Sequence, residues 1–87
     1  MIYLPIIASS EYAAFQKPLR NHIPVAYDKW LKLHAMWHHH CQAERLEIRS
    51  VHVNPQQFSQ HLKATGHAAT LDELIAFTEI TATGKPH

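Results

Sequence analysis

The feature that most restricts the fold of this chain is an apolar stripe that recurs at helical spacing from residue 26 onward. Side chains three or four residues apart lie on one face of an α-helix. The stripe consists of Ala26, Trp30, Leu33, Trp37 and Cys41. The residues between them are mostly polar, so the pattern predicts an amphipathic helix of about four or five turns, with the two tryptophans as its main anchors.

Two apolar segments rich in β-branched residues predict strands on either side of this helix. The first covers residues 2–7 and includes Pro5, which cannot donate a sheet hydrogen bond and therefore indicates an edge position or a bulge. The second covers residues 46–53, where the alternation changes phase between Ile48 and Val51 and indicates a bulge or burial on both faces. In the alternative interpretation the long helix continues to Ile48, but the β-branched residues favour a strand.

Capping residues mark the start of three further helices. Ser9–Ser10 can cap a short helix that Pro18 limits to about two turns. Asn54–Pro55 combines a capping side chain with a proline in the first helical position. Thr70 and Glu73 have the spacing of a capping box, in which a hydroxyl and a carboxyl group satisfy helical N–H groups.

These elements predict one small α+β domain over residues 1–87, in which two short strands pack against about four helices in the order β-α-α-β-α-α. Residues 82–87 are predicted to form a flexible tail. Two strands alone are marginally stable, and a chain of this length buries only about 60–65% of its unfolded surface. A homodimer would let such a chain bury more apolar surface.

The charge composition argues against nucleic acid as a partner. The chain has eight basic and seven acidic residues, which give a formal charge of +1 when the histidines are neutral. Residues 54–80 have the outline of a helix-turn-helix motif. Its second helix, however, begins with Asp72 and Glu73, which repel phosphate, and lacks lysine or arginine as far as Ala82. A plain helical hairpin is therefore the preferred interpretation.

The sequence also predicts a cytoplasmic protein that does not interact with membranes. The apolar N-terminal segment lacks the basic residues of a signal peptide and is too short to span a bilayer. The chain has one cysteine, which excludes an intramolecular disulfide and agrees with a reducing compartment.

Histidine is the most unusual component, with nine copies. Neutral imidazole is the commonest metal ligand in proteins. His34, His38 and Cys41 are spaced i, i+4 and i+7 and project from one side of the long helix, so they are candidate ligands for zinc, nickel or copper. A simpler interpretation makes Cys41 a buried apolar residue and the histidines the border of the core. Protonation would add nine charges in acid, which predicts lability at low pH.

No catalytic arrangement can be assembled from these residues. The chain lacks a glycine-rich phosphate loop, and on a helix His40 points away from Cys41, which argues against a nucleophilic pair. We therefore predict a non-enzymatic protein interaction module that binds a second copy or another protein. Its candidate interface residues are Tyr27, Trp30 and Trp37, because tryptophan and tyrosine are favoured at interfaces, although aromatic residues at helical spacing are more often part of the core. The alternative function is a metal sensor or buffer at His34, His38 and Cys41.

Overall fold

A computed structural model of the chain describes residues 1–84 and has the predicted α+β architecture, with two strands and four α-helices in the predicted order. The strands are β1 (Ile2–Ile6) and β2 (Ile48–His52). The helices are α1 (Tyr12–Leu19), α2 (Tyr27–Ala43), α3 (Pro55–Thr65) and α4 (Leu71–Thr83). A short 3-10 turn over Ser9–Glu11 leads into α1.

The two strands form a parallel pair. Ile2 lies opposite Ile48 and Ile6 lies opposite His52, with one residue facing one residue throughout. Parallel strands need a long crossover connection, which α1 and α2 provide. The change of phase in the sequence of β2 is therefore not caused by a bulge. Ile48 and Val51 are both half-buried on a regular strand.

Pro5 lies on the outer edge of β1. In a parallel ladder, alternate residues direct both backbone groups to the neighbouring strand. The N–H of Ile2 donates to the Glu47 carbonyl over 2.7 Å, and the Ile6 carbonyl accepts from the N–H of Val53 over 3.0 Å. The even-numbered residues of β1 thus direct their backbone N–H and C=O groups toward β2. The backbone nitrogen of Pro5 points to the opposite side, where the missing N–H costs no sheet hydrogen bond.

The core lies between the sheet and the helices. Its buried side chains are Ile7, Tyr12, Phe15, Leu19, Ile23, Trp30, Val53, Phe58, Leu74 and Phe77. Trp30 is only 1% exposed. The Phe58 ring is 5.8 Å from Phe15 and 5.4 Å from Phe77, measured between centroids. Phe77 therefore belongs to the centre of the core. On the same helix, Ile75 is exposed.

Capping side chains fix the starts of α3 and α4, but only the Thr70 half of the predicted capping box forms, because the Glu73 carboxylate is bonded to His61 and His67. The Asn54 Oδ1 atom accepts from the backbone N–H groups of Gln56 and Gln57 over 2.8 and 3.2 Å. The Thr70 hydroxyl accepts from the N–H of Glu73 over 3.1 Å. Each bond satisfies a donor that the first turn of a helix leaves without a helical acceptor.

One helix end differs from the expectations. Helix α1 has the predicted length of about two turns, with eight residues, and ends one residue after Pro18. Helix α4 continues through Ala82 and Thr83, which were expected to begin a flexible tail, while residues 85–87 lie outside the described part. Helix α2 stops at Ala43 and does not continue into β2, because the next turn contains Arg45 with a φ of 59°.

Candidate metal centre

The structure does not bring His34, His38 and Cys41 together as metal ligands. Within residues 1–84, their ligand atoms do not form a group in which all lie within 4.8 Å of one another. Cys41 is buried and lines a groove with β1 residues and Ile75, whereas His34 lines a separate groove with Trp30. The helical spacing alone does not make a site, because His34 and Cys41 line different grooves.

The three aromatic residues predicted for an interface mainly serve the core. Trp30 is buried within the chain and leaves almost no surface for a partner. Trp37 is half-buried and packs edge-on against Trp30, with 5.8 Å between ring centroids. The half-buried Tyr27 donates its hydroxyl proton to the Ile7 carbonyl over 2.6 Å. Self-association stays a prediction, and it would need surface other than Trp30.

A different group of ligand atoms does converge, where α3 meets α4. It consists of His61 near the end of α3, His67 in the connecting loop and Glu73 in the first turn of α4. Their ligand atoms all lie within 4.8 Å of one another. The Glu73 Oε1 atom is 2.7 Å from His61 Nε2 and 2.9 Å from His67 Nδ1. One carboxylate oxygen therefore holds two imidazoles.

The connection between the two helices places His67 beside His61. Gly66 ends α3 in the left-handed conformation with φ 71°, which costs glycine little and reverses the chain. The Thr65 hydroxyl donates to the His61 carbonyl over 2.9 Å and accepts from the N–H of His67 over 3.2 Å. This one side chain thus links the last turn of the helix to the loop.

Aromatic packing restrains the deepest member of the group. The His61 ring stacks on Phe58, with 6.4 Å between centroids and 17° between planes, and lies 5.1 Å from Phe77. The side chains of His61 and Glu73 are 14% and 17% exposed, whereas His67 is 60% exposed. Two of the three groups are therefore held by the core, and the third forms a solvent-facing side.

The electrostatics of the group favour an ionised carboxylate. The hydrogen bond from His67 is the main cause that lowers the pKa of Glu73 below its ordinary value, and the bond from His61 adds to it against the opposing effect of partial burial. An ionised carboxylate accepts hydrogen bonds only, so each imidazole donates an N–H to Oε1. A cation placed here would need the free lone pair of each of these nitrogens, so each neutral imidazole would carry its proton on its other ring nitrogen instead.

The group opens onto a cleft of about 330 Å³. The residues that line it are His61, Ala64, Thr65, His67, Glu73, Ala76 and Ile80. The polar residues of this lining are the three members of the group and Thr65, and the other residues are aliphatic.

Comparison with protein families, with curated proteins and with solved structures found no match. The function has to be argued from the geometry of the chain. Within residues 1–84, no helix has both the length and the apolar character needed to cross a membrane.

Of the three residues in this group, the sequence patterns single out only Glu73, as part of a capping box. The available signal was the equal spacing of six residues between His61, His67 and Glu73, with Gly66 between two helices. A turn at that glycine is what folds the three positions onto one another.

His34 provides a test of the predicted lability at low pH. Its Nε2 atom is buried without a hydrogen-bond partner among residues 1–84, and burial, followed by the charge of His38, lowers the pKa of His34 below 6.5. The unfolded chain therefore takes up the proton first, and the free energy of unfolding decreases as the pH falls below 6.5. When the pH is lowered from about 7.5 to about 5.5, we expect the free energy of unfolding of His34→Leu to decrease less than that of the wild type. Urea unfolding at the two pH values measures both decreases.

The matched control is His39→Leu, because His39 is exposed on the same helix. That variant should keep the acid sensitivity of the wild type. If His34→Leu and His39→Leu lost stability equally across this pH range, the burial of His34 would not be the cause.

Proposed function

We propose that this chain binds a divalent transition-metal ion through His61 Nε2, His67 Nδ1 and Glu73 Oε1. The observation that supports this function is the convergence of the three ligand atoms within 4.8 Å of one another. Tetrahedral zinc with bonds of about 2.1 Å has its ligand atoms about 3.4 Å apart. The two short distances of 2.7 and 2.9 Å to Glu73 would then lengthen by about 0.5–0.7 Å, a change within reach of small side-chain rotations.

The donor set favours zinc over softer ions. Two imidazole nitrogens and one carboxylate oxygen are ordinary zinc ligands, whereas Cu(I) prefers sulfur. Cys41, the one cysteine of the chain, lines a different groove from these three residues. Nickel and Cu(II) also accept imidazole, so the order of affinities is expected to follow the general series for divalent ions.

The contacts around the three ligand residues also hold them in place before a metal ion binds. The Thr65 hydroxyl ties His67 to α3, Thr70 fixes the first turn that carries Glu73, and His61 is packed between aromatic rings. Such supporting contacts orient metal ligands and reduce the ordering that binding requires. The competing interpretation is that Glu73 and the two histidines only fasten α3 to α4. The two interpretations differ in what zinc does to the protein.

The test is a titration of untagged, metal-free protein with Zn²⁺ in competition with a chromophoric chelator. We expect one ion per chain, and a loss of affinity greater than about 100-fold in His67→Ala and in Glu73→Gln, because even outer-shell partners of metal ligands contribute about 10–100-fold. His67 is exposed and Glu73→Gln preserves shape, so both variants should fold. The matched control, His34→Ala combined with His38→Ala, should bind zinc as the wild type does.

Two outcomes would contradict the proposal. In the first, Glu73→Gln and the wild type bind zinc equally, which would reduce the group to a structural contact. In the second, affinity is lost in the His34 and His38 double variant and kept in His67→Ala, which would move the site back to α2.

A further inference from the structure

The cleft beside the candidate metal centre indicates which additional ligand a bound metal ion would accept. All three ligand residues belong to the lining of this cleft of about 330 Å³. Three protein ligands leave one position of a tetrahedral zinc ion for water or another ligand. Because all three protein ligands line the cleft, a molecule in the cleft would have access to that remaining position.

The charge of the site limits the ligands that suit it. A divalent ion, one ionised carboxylate from Glu73 and two neutral imidazoles leave one positive charge. Among residues 1–84, those that line the cleft include no lysine or arginine, so the wall provides no partner for a second anionic group. A single negative charge would neutralise the site.

The wall beyond the metal is aliphatic. Ala64 on α3 and Ala76 and Ile80 on α4 present methyl groups to the cleft. The Thr65 hydroxyl is already engaged with the His61 carbonyl and the His67 N–H. The cleft volume is at the small end of the range of about 300–1,000 Å³ for ligand sites. A compact ligand with an alkyl chain fits both the size and the chemistry.

We infer that the metal-loaded chain binds a short aliphatic monocarboxylate, with one carboxylate oxygen on the ion and the alkyl chain along Ala64, Ala76 and Ile80. This inference rests on the metal binding proposed above. Binding exchanges a metal-bound water for the carboxylate oxygen, so no oxidation or covalent step is involved.

The test is calorimetric titration of the zinc-loaded wild type with hexanoate and, separately, with acetate and hexanol. Hexanoate is expected to bind at least about tenfold more tightly than acetate, because its additional methylene groups leave water for the aliphatic wall. Hexanol, which lacks the anionic group, should not bind measurably. Ala64→Phe is expected to keep zinc affinity and lose hexanoate, because Ala64 is exposed and its replacement occupies the cleft.

Separate outcomes decide the two proposals. Absence of zinc binding overturns the metal site itself. Zinc binding with equal affinity for hexanoate and acetate overturns the alkyl-binding cleft, as does undiminished hexanoate binding in Ala64→Phe. Hexanoate binding of equal strength to the metal-free protein shows that the carboxylate does not use the ion, and also overturns the inference.

Discussion

Trp30→Ala is expected to remove most of the stability of the folded chain at room temperature. Trp30 is 1% exposed, and its ring centroid lies 6.1 Å from that of Tyr12 and 5.8 Å from that of Trp37. Truncation of a buried tryptophan costs about 3–5 kcal/mol, whereas whole domains are stable by about 5–15 kcal/mol. A chain of 87 residues is expected at the lower end of that range. Urea unfolding followed by circular dichroism measures the loss.

Trp37→Ala is the matched control for this prediction. Trp37 is on the same helix and carries the same side chain, but it is half-buried. Its loss should therefore remove less than half of the stability that Trp30→Ala removes. Equal losses in the two variants would show that Trp30 does not have the central position the structure gives it.

Zinc is expected to raise the unfolding temperature by about 10–20 °C when its free concentration is one hundred times the dissociation constant. A ligand that binds only the folded state contributes about 2.7 kcal/mol at that concentration. For a domain of 60–100 residues, each kilocalorie per mole shifts the midpoint by about 4–8 °C. Thermal unfolding with and without zinc measures the shift directly, and magnesium should give none because it prefers oxygen ligands.

Glu73→Gln separates site binding from general effects of the ion. This variant keeps the shape of the side chain but lacks its charge, so zinc should leave its unfolding temperature nearly unchanged. An equal shift in Glu73→Gln and in the wild type would mean that zinc stabilises the protein elsewhere. No shift in the wild type would contradict the metal site.

Features decided by neighbouring residues were predictable from the sequence. Asn54 and Thr70 cap their helices through bonds that reach two or three residues along the chain, so the local pattern contains the whole interaction. The same holds for Pro5, since a missing N–H restricts a strand wherever the rest of the protein lies. Element order and strand identity followed from such signals.

The candidate metal centre could not be predicted in the same way. His61 and Glu73 are twelve residues apart and meet because Gly66 reverses the chain, a tertiary consequence that periodicity does not express. The His34, His38 and Cys41 pattern failed for the opposite reason. A helix places them near one side, but β1 and the neighbouring helices set the surroundings of each side chain, and those surroundings separate Cys41 from His34.

The position of Pro5 has a consequence for polymerisation. Its lost N–H and its burial make the outer edge of β1 a poor template for an added strand, whereas β2 keeps ordinary backbone groups along residues 48–52. Strand addition between copies could therefore proceed through β2 alone. Two chains joined in this way would present only proline-bearing edges, so growth would stop at two copies and a fibre would not propagate.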